Sequence, residues 1–137
     1  MLQDFTNISS ISDSQLTEEE ALQLADELSG KLSEGEIPKS DAESLKRMVA
    51  GLGDARGALR LTFAKSLGAV GDEALPILCK ALRQNQNVIV RRASAKTLNL
   101  IGNKDALPYL LEAFLEDDDP VVLGSSAGAM ATIGPDA

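Results

Sequence analysis

The sequence contains no histidine and no tryptophan, and it has a single cysteine, Cys79. Without histidine there can be no Ser-His-Asp or Cys-His nucleophile system, and the commonest metal ligand is missing. One cysteine excludes an internal disulfide and fits a reducing compartment. Aromatic residues make up 3% of the chain. A core must therefore come from Leu, Ala, Val and Ile, which favours closely packed helices over a β-sandwich. No apolar run approaches the roughly 20 residues of a membrane span. The opening "MLQDFTNISS" lacks the basic and apolar regions of a signal peptide, so the expected location is cytoplasmic. No P-loop, no G-x-G-x-x-G after a strand and no C-x-x-C is present.

The 137 residues suffice for one domain with a core. The net charge of −8 is unevenly spread. Residues 1–53 carry a net −7, residues 54–115 a net +4 and residues 116–137 a net −5. The overall sign argues against nucleic acid as the main partner. The basic middle leaves a local face for an acidic protein or an anionic ligand.

A phrase recurs along the chain. "AVGDEALPILCKAL" from residue 69 is answered by "LIGNKDALPYLLEAF" from residue 100. Gly71, Gly102 and Gly134 are 31 and 32 residues apart. Leu67, Leu98 and Met130 precede them by four positions, and Ala64, Ala95 and Ala127 by seven. These offsets trace one face of a helix, ended by a glycine expected to be left-handed. Ala74-Leu75-Pro76 and Ala106-Leu107-Pro108 then open a second helix, where proline is tolerated in the first turn. Each unit is thus helix–turn–helix. Neither helix can bury its apolar stripe alone, so the units must stack.

Before the array, Thr17 to Glu20 and Ser40 to Glu43 read as two capping boxes that start a divergent N-terminal pair. Residues 1–15 read as a disordered segment, 16–53 as this helical cap, and 54–137 as repeats, the last one incomplete. Helices are predicted near 17–33, 41–52, 56–70, 74–84, 88–101, 105–116 and 120–133. At the far end Asp136 sits where it would cap a missing second helix. The reading is of a truncated piece of a longer array, with Ala127, Met130 and Ile133 uncovered and available for self-association.

The segments "VIVRRASAKTLNLIG" and "DDDPVVLGSSAGAMATIG", with the two Ala-Leu-Pro helices, resemble the HEAT family of α-helical repeats. They are similar in particular to the short HEAT-like units of phycobilisome lyases, which handle bilin chromophores on antenna proteins. The resemblance covers residues 54–137. It implies an all-α, HEAT-like α-solenoid of stacked helix-turn-helix repeats. It also implies a phycobiliprotein as partner and a bilin as ligand; the residues themselves demand no cofactor. The third unit departs from the pattern, with Leu123 and Gly124 where the second has Arg91 and Arg92.

Candidate chemistry is sparse. Cys79 has Lys80 beside it and Arg83 four residues on, and a nearby cation can activate a thiol. It also aligns with Leu111, a packing position, which favours a core role. "EDDDP" at 116–120 reads as a linker in which Asp119 caps a helix and Pro120 starts it; its adjacent acids lack the spacing of a calcium loop. Arg60 and Arg91, and likewise Lys65 and Lys96, recur at the repeat spacing, either as ladders pairing with inter-repeat acids such as Asp54 and Asp72 or covering helix C-terminal carbonyls, or as a basic stripe for a partner.

In arrays of this family the second helices line the concave face. The resemblance thereby assigns Ile77, Lys80, Arg83, Gln84, Tyr109, Glu112 and Glu116 to a partner-binding surface, with Leu115 beside them. Arg and Tyr are characteristic interface anchors. Two functions follow: a protein–protein interaction scaffold, or a bilin lyase-like, chromophore-handling protein.

Overall fold

The computed structural model describes residues 16–134. The expectations for residues 1–15 and for Asp136 lie outside them. The described residues form seven α-helices and no strand: α1 (Glu18–Ser33), α2 (Ala42–Gly51), α3 (Gly57–Val70), α4 (Leu75–Gln84), α5 (Val88–Ile101), α6 (Leu107–Glu116) and α7 (Pro120–Ile133). Short 3-10 turns, Gly71–Ala74 and Lys104–Ala106, lead into α4 and α6. The architecture is the all-α solenoid expected from the repeat.

Local chemistry sets the helix starts. Thr17 forms a full capping box: its hydroxyl accepts from the Glu20 amide at 3.0 Å, and the Glu20 carboxylate accepts from the Thr17 amide at 2.9 Å. α2 starts differently from the expected box. Asp41 is the cap and accepts from the Ser44 amide, while the Ser40 hydroxyl donates to Glu73 in the next unit. Asp119 caps α7 by accepting from the Val122 amide at 3.0 Å, with Pro120 in the first turn, as expected.

The three glycines do different work. Gly71 and Gly102 have φ of 78° and 74°, a region that costs a side chain strain. Gly134 has φ of −113° and is not left-handed. Its position is restricted by space instead, since an added Cβ would lie 2.8 Å from Leu107.

The helices stack in two layers. First helices α1, α3, α5 and α7 pack one on the next; second helices α2, α4 and α6 do the same. The layers join because α2 packs on α3, α4 on α5 and α6 on α7. Phe63, Leu67, Leu78, Leu82, Leu98 and Leu110 are fully buried between them. Burying each contributes roughly 2 kcal/mol. Small polar residues also enter the core. Ser66 and Thr97, both fully buried and equivalent by repeat, donate their hydroxyls to the carbonyls of Thr62 and Ala93 at 2.8 Å.

The loop before each of α3, α5 and α7 is a third repeated device. Asp54, Asn85 and Asp117 each accept, through Oδ1, the amide two residues ahead at 2.8 to 2.9 Å. Arg60 and Arg91 reach back to the carbonyls of Asp54 and Asn85 at 2.6 and 3.0 Å. The arginines thus cover backbone carbonyls just past the preceding helix, one of the structural roles expected for the ladder, rather than pairing with Asp54 and Asp72. Arg56, not Arg60, holds the Asp54 carboxylate. Asp72 accepts from the Asn103 amide. Arg91 pairs with Asp117 and Arg92 with Asp119.

The expected bare end at Ala127, Met130 and Ile133 needs correction. Ile133 is buried, and Ala127 and Met130 are half-buried, because α7 lays this face against α5 and α6. The exposed apolar residues lie on α6: Leu111 is 49% exposed, Phe114 43% and Leu115 68%. Their equivalents in α4, namely Cys79, Leu82 and Arg83, are covered by α6.

Candidate binding face on the second helices

The second-helix layer carries two neighbouring grooves. The first lies between α2 and α4, with a volume of about 270 Å³. Leu45, Val49, Pro76 and Ile77 give it apolar walls; Lys46 and Lys80 supply positive charge and Glu73, which accepts from the Ser40 hydroxyl, one negative charge. The second, about 410 Å³, lies between α4 and α6 and is lined by Cys79, Arg83, Tyr109 and Glu112. Lys80 and Gln84 border both grooves.

Stacked equivalents bring together the residues assigned from the sequence. Ile77 faces the first groove; Lys80 and Gln84 form the ridge between the two; Arg83, Tyr109 and Glu112 face the second. Glu116 joins through Arg83. The Arg83 guanidinium donates from Nε to Glu112 at 2.9 Å and from Nη2 to Glu116 at 2.7 Å. Such a fork fixes the planar head in place. Arg83 is thus a strut between repeats, and Lys80 is the cation of this row that no acid holds among the described residues.

The sequence reading left out Lys46, Leu45, Val49 and Glu73. α2 lacks the Ala-Leu-Pro opening that marks α4 and α6 as second helices. A signal exists in the spacing: Leu45, Leu78 and Leu110 follow one another at 33 and 32 residues, as do Met48, Ala81 and Ala113. By this register α2 is itself a second helix and contributes a groove wall.

Cys79 reaches the second groove, but its residue is 4% exposed and burial pushes the thiol up to about 11. Burial and the raised pKa both fit the packing role expected for Cys79. Among the described residues no group of three acids or cysteines could hold a metal ion. No helix among them is long and apolar enough to cross a membrane. The two grooves therefore offer apolar walls, the Lys46 and Lys80 ammoniums, the Tyr109 phenol and an Arg83 braced by two glutamates.

Comparison with known proteins agrees with this architecture. A profile of HEAT repeats matches residues 41–131, which includes α2. Over 91 residues the chain is 70% identical to the bilin biosynthesis protein MpeU of Synechococcus sp. (strain WH8020), covering 66% of this chain and 31% of that protein. Over 102 residues it is 35% identical to the uncharacterized phycocyanin operon protein Z of Pseudanabaena tenuis (strain PCC 7409), covering 69% of this chain and 50% of the other. The matched part of the chain thus spans 31% and 50% of the length of these two curated relatives. No solved structure matches it. The expected resemblance to the HEAT-like units of bilin-handling proteins is borne out. From its repeat register, its two stacked layers and the profile over two thirds of its length, this chain belongs to the HEAT-repeat family.

Proposed function

We propose that this array works in the cytoplasm as a holding scaffold of the bilin attachment machinery, gripping a phycobiliprotein subunit on its second-helix face. The observation that carries the reading is the continuous row of Lys80, Arg83, Tyr109, Glu112 and Glu116 across two stacked repeats. Its support is the 70% identity to a protein named for bilin biosynthesis. A scaffold orients its client, while the bond-forming groups belong to the client or to other parts of the machinery. The test is co-purification with apo-phycobiliprotein subunits. Tyr109→Ala and Lys80→Ala should each weaken the complex by about 1–2 kcal/mol. Both residues are exposed, so stability should change by no more than about 0.5 kcal/mol. Failure of every subunit to bind, or binding indifferent to both substitutions, would sink the reading.

A second reading, that the chain itself handles the bilin, is favoured by the α2–α4 groove. Its apolar walls and two lysines, Lys46 and Lys80, which outnumber the Glu73 carboxylate, suit an elongated apolar molecule with carboxylates. Adding free bilin should then shift its visible absorption, and Lys46→Ala should abolish the shift. An unchanged spectrum leaves the scaffold reading alone.

A further inference from the structure

The opposite face of the solenoid, formed by the first helices, carries a trough of about 840 Å³ along α3, α5 and α7. It is both apolar and basic. Leu61, Leu100 and Val121 are exposed within it, Leu100 by 63%. Such large apolar side chains gathered in one concavity point to an interaction site. Arg60, Arg92 and Lys96 line the trough, and no aspartate or glutamate does. Arg60 is bound to the Asp54 carbonyl and Arg92 to Asp119. Lys96 has no ion pair among the described residues. Asp119 offsets Arg92 from beside the trough, so Lys96 is its unpaired cation, within the stretch 54–115 that carries a net +4.

One wall of the trough is unusually low. α7 presents Val121, Ser125, Gly128 and Thr132 to it, a single helical face at i, i+4, i+7 and i+11. A Cβ added at Gly128 would meet nothing within 4 Å. This face runs about 17 Å, enough for three turns of a second helix to lie alongside. Small residues on one side allow close approach, and the leucines on the other supply pockets for a partner's apolar stripe.

We propose that this trough docks an acidic amphipathic helix of a partner protein. Its apolar residues seat against Leu61, Leu100 and Val121, and its carboxylates meet Lys96. A helix fits better than an anionic membrane, because the surface is a trough rather than a plane and the acidic chain is repelled by anionic lipid. The site lies on the face opposite the second-helix grooves and stands independently of them.

The test uses the full chain and a fluorescein-labelled 14-residue peptide with leucine at i, i+3, i+7 and i+10 and glutamate or alanine elsewhere. Fluorescence anisotropy should show saturable binding that weakens with salt. Leu100→Ser and Lys96→Glu should each weaken it at least fivefold, with unchanged circular dichroism and melting temperature. Tyr109→Ala should leave it unchanged, which separates this site from the proposed second-helix face. The proposal is overturned if the peptide fails to bind, if a lysine-for-glutamate version binds equally well, or if both trough variants bind like the parent. Binding to phosphatidylglycerol vesicles in preference to the peptide would also overturn it.

Discussion

The Nε of Arg91 in α5 lies 2.9 Å from the Oδ2 of Asp117, the residue that opens the loop into α7. The same guanidinium donates to the carbonyls of Asn85 and Gln86. One side chain therefore ties its own entry loop to that of the next repeat, and Asp117 is almost fully buried by the arrangement. Arg91→Ala leaves that carboxylate without its counter-charge and two carbonyls short of a donor. Urea denaturation should show a loss of about 3 kcal/mol, the lower end for a broken buried pair, since Arg91 is itself partly exposed. Arg56→Ala, at a more exposed pair, should cost about 1 kcal/mol or less.

Acid should loosen the array through the same loops. The Arg92 guanidinium beside Asp119, aided by the Val122 amide, holds its carboxyl far below the usual range. Arg56 does the same for Asp54 to a lesser extent. A carboxyl with a depressed folded-state pKa binds protons more readily when unfolded. Its contribution is fully present above the unfolded value of about 4 and is lost as pH falls towards the folded one. Urea midpoints should be flat from pH 7 to about 5 and fall below about 4. Asp119→Asn should lower the neutral plateau and flatten the acid slope. An unchanged slope would remove Asp119 from the account.

The buried thiol of Cys79 should resist reagents. With its pKa raised to about 11 and its side chain covered, alkylation by iodoacetamide at pH 7.5 should be slow in the folded protein and fast in 6 M urea. Intact mass spectrometry measures both. Rapid labelling of the folded chain, or a bilin adduct at this residue, would make Cys79 chemically active.

Exposed apolar surface on α6 should make the chain self-associate with rising concentration. Leu111, Phe114 and Leu115 are the residues concerned. Light scattering after size exclusion should show a mass that increases with concentration for the parent chain. Leu115→Asp should return it to monomer with little change in melting temperature. Substitution at the buried Ile133 should instead lower stability, which distinguishes α6 from the end of α7 as the sticky surface.

Much of the architecture is local and was legible. Caps, the Ala-Leu-Pro openings and apolar offsets are short-range signals, and all seven helices fall within about two residues of their predicted bounds. The row containing Lys80, Arg83, Tyr109 and Glu112 was also legible, because stacked repeats set equivalent positions side by side. Which groups remain free was not. Arg83 looks like a loose interface anchor in the sequence, yet two glutamates from the next repeat hold it. Only the tertiary structure decides such a pairing, since it depends on the distance between two helices some thirty residues apart.

The same division explains Cys79 and Leu111. The repeat register makes them equivalent, and the sequence alone determined that both occupy the packing stripe of a second helix. Stacking then buries one and leaves the other half exposed, because α6 lies over α4 while no described helix lies over that side of α6. Gly134 makes the point for the backbone. Its place in the register matches Gly71 and Gly102, but its φ does not, and the crowding by Leu107 appears only once α6 and α7 are packed. Periodicity and caps act through neighbours in the chain and can be read directly. Burial, free charge and surface apolarity come from neighbours in space.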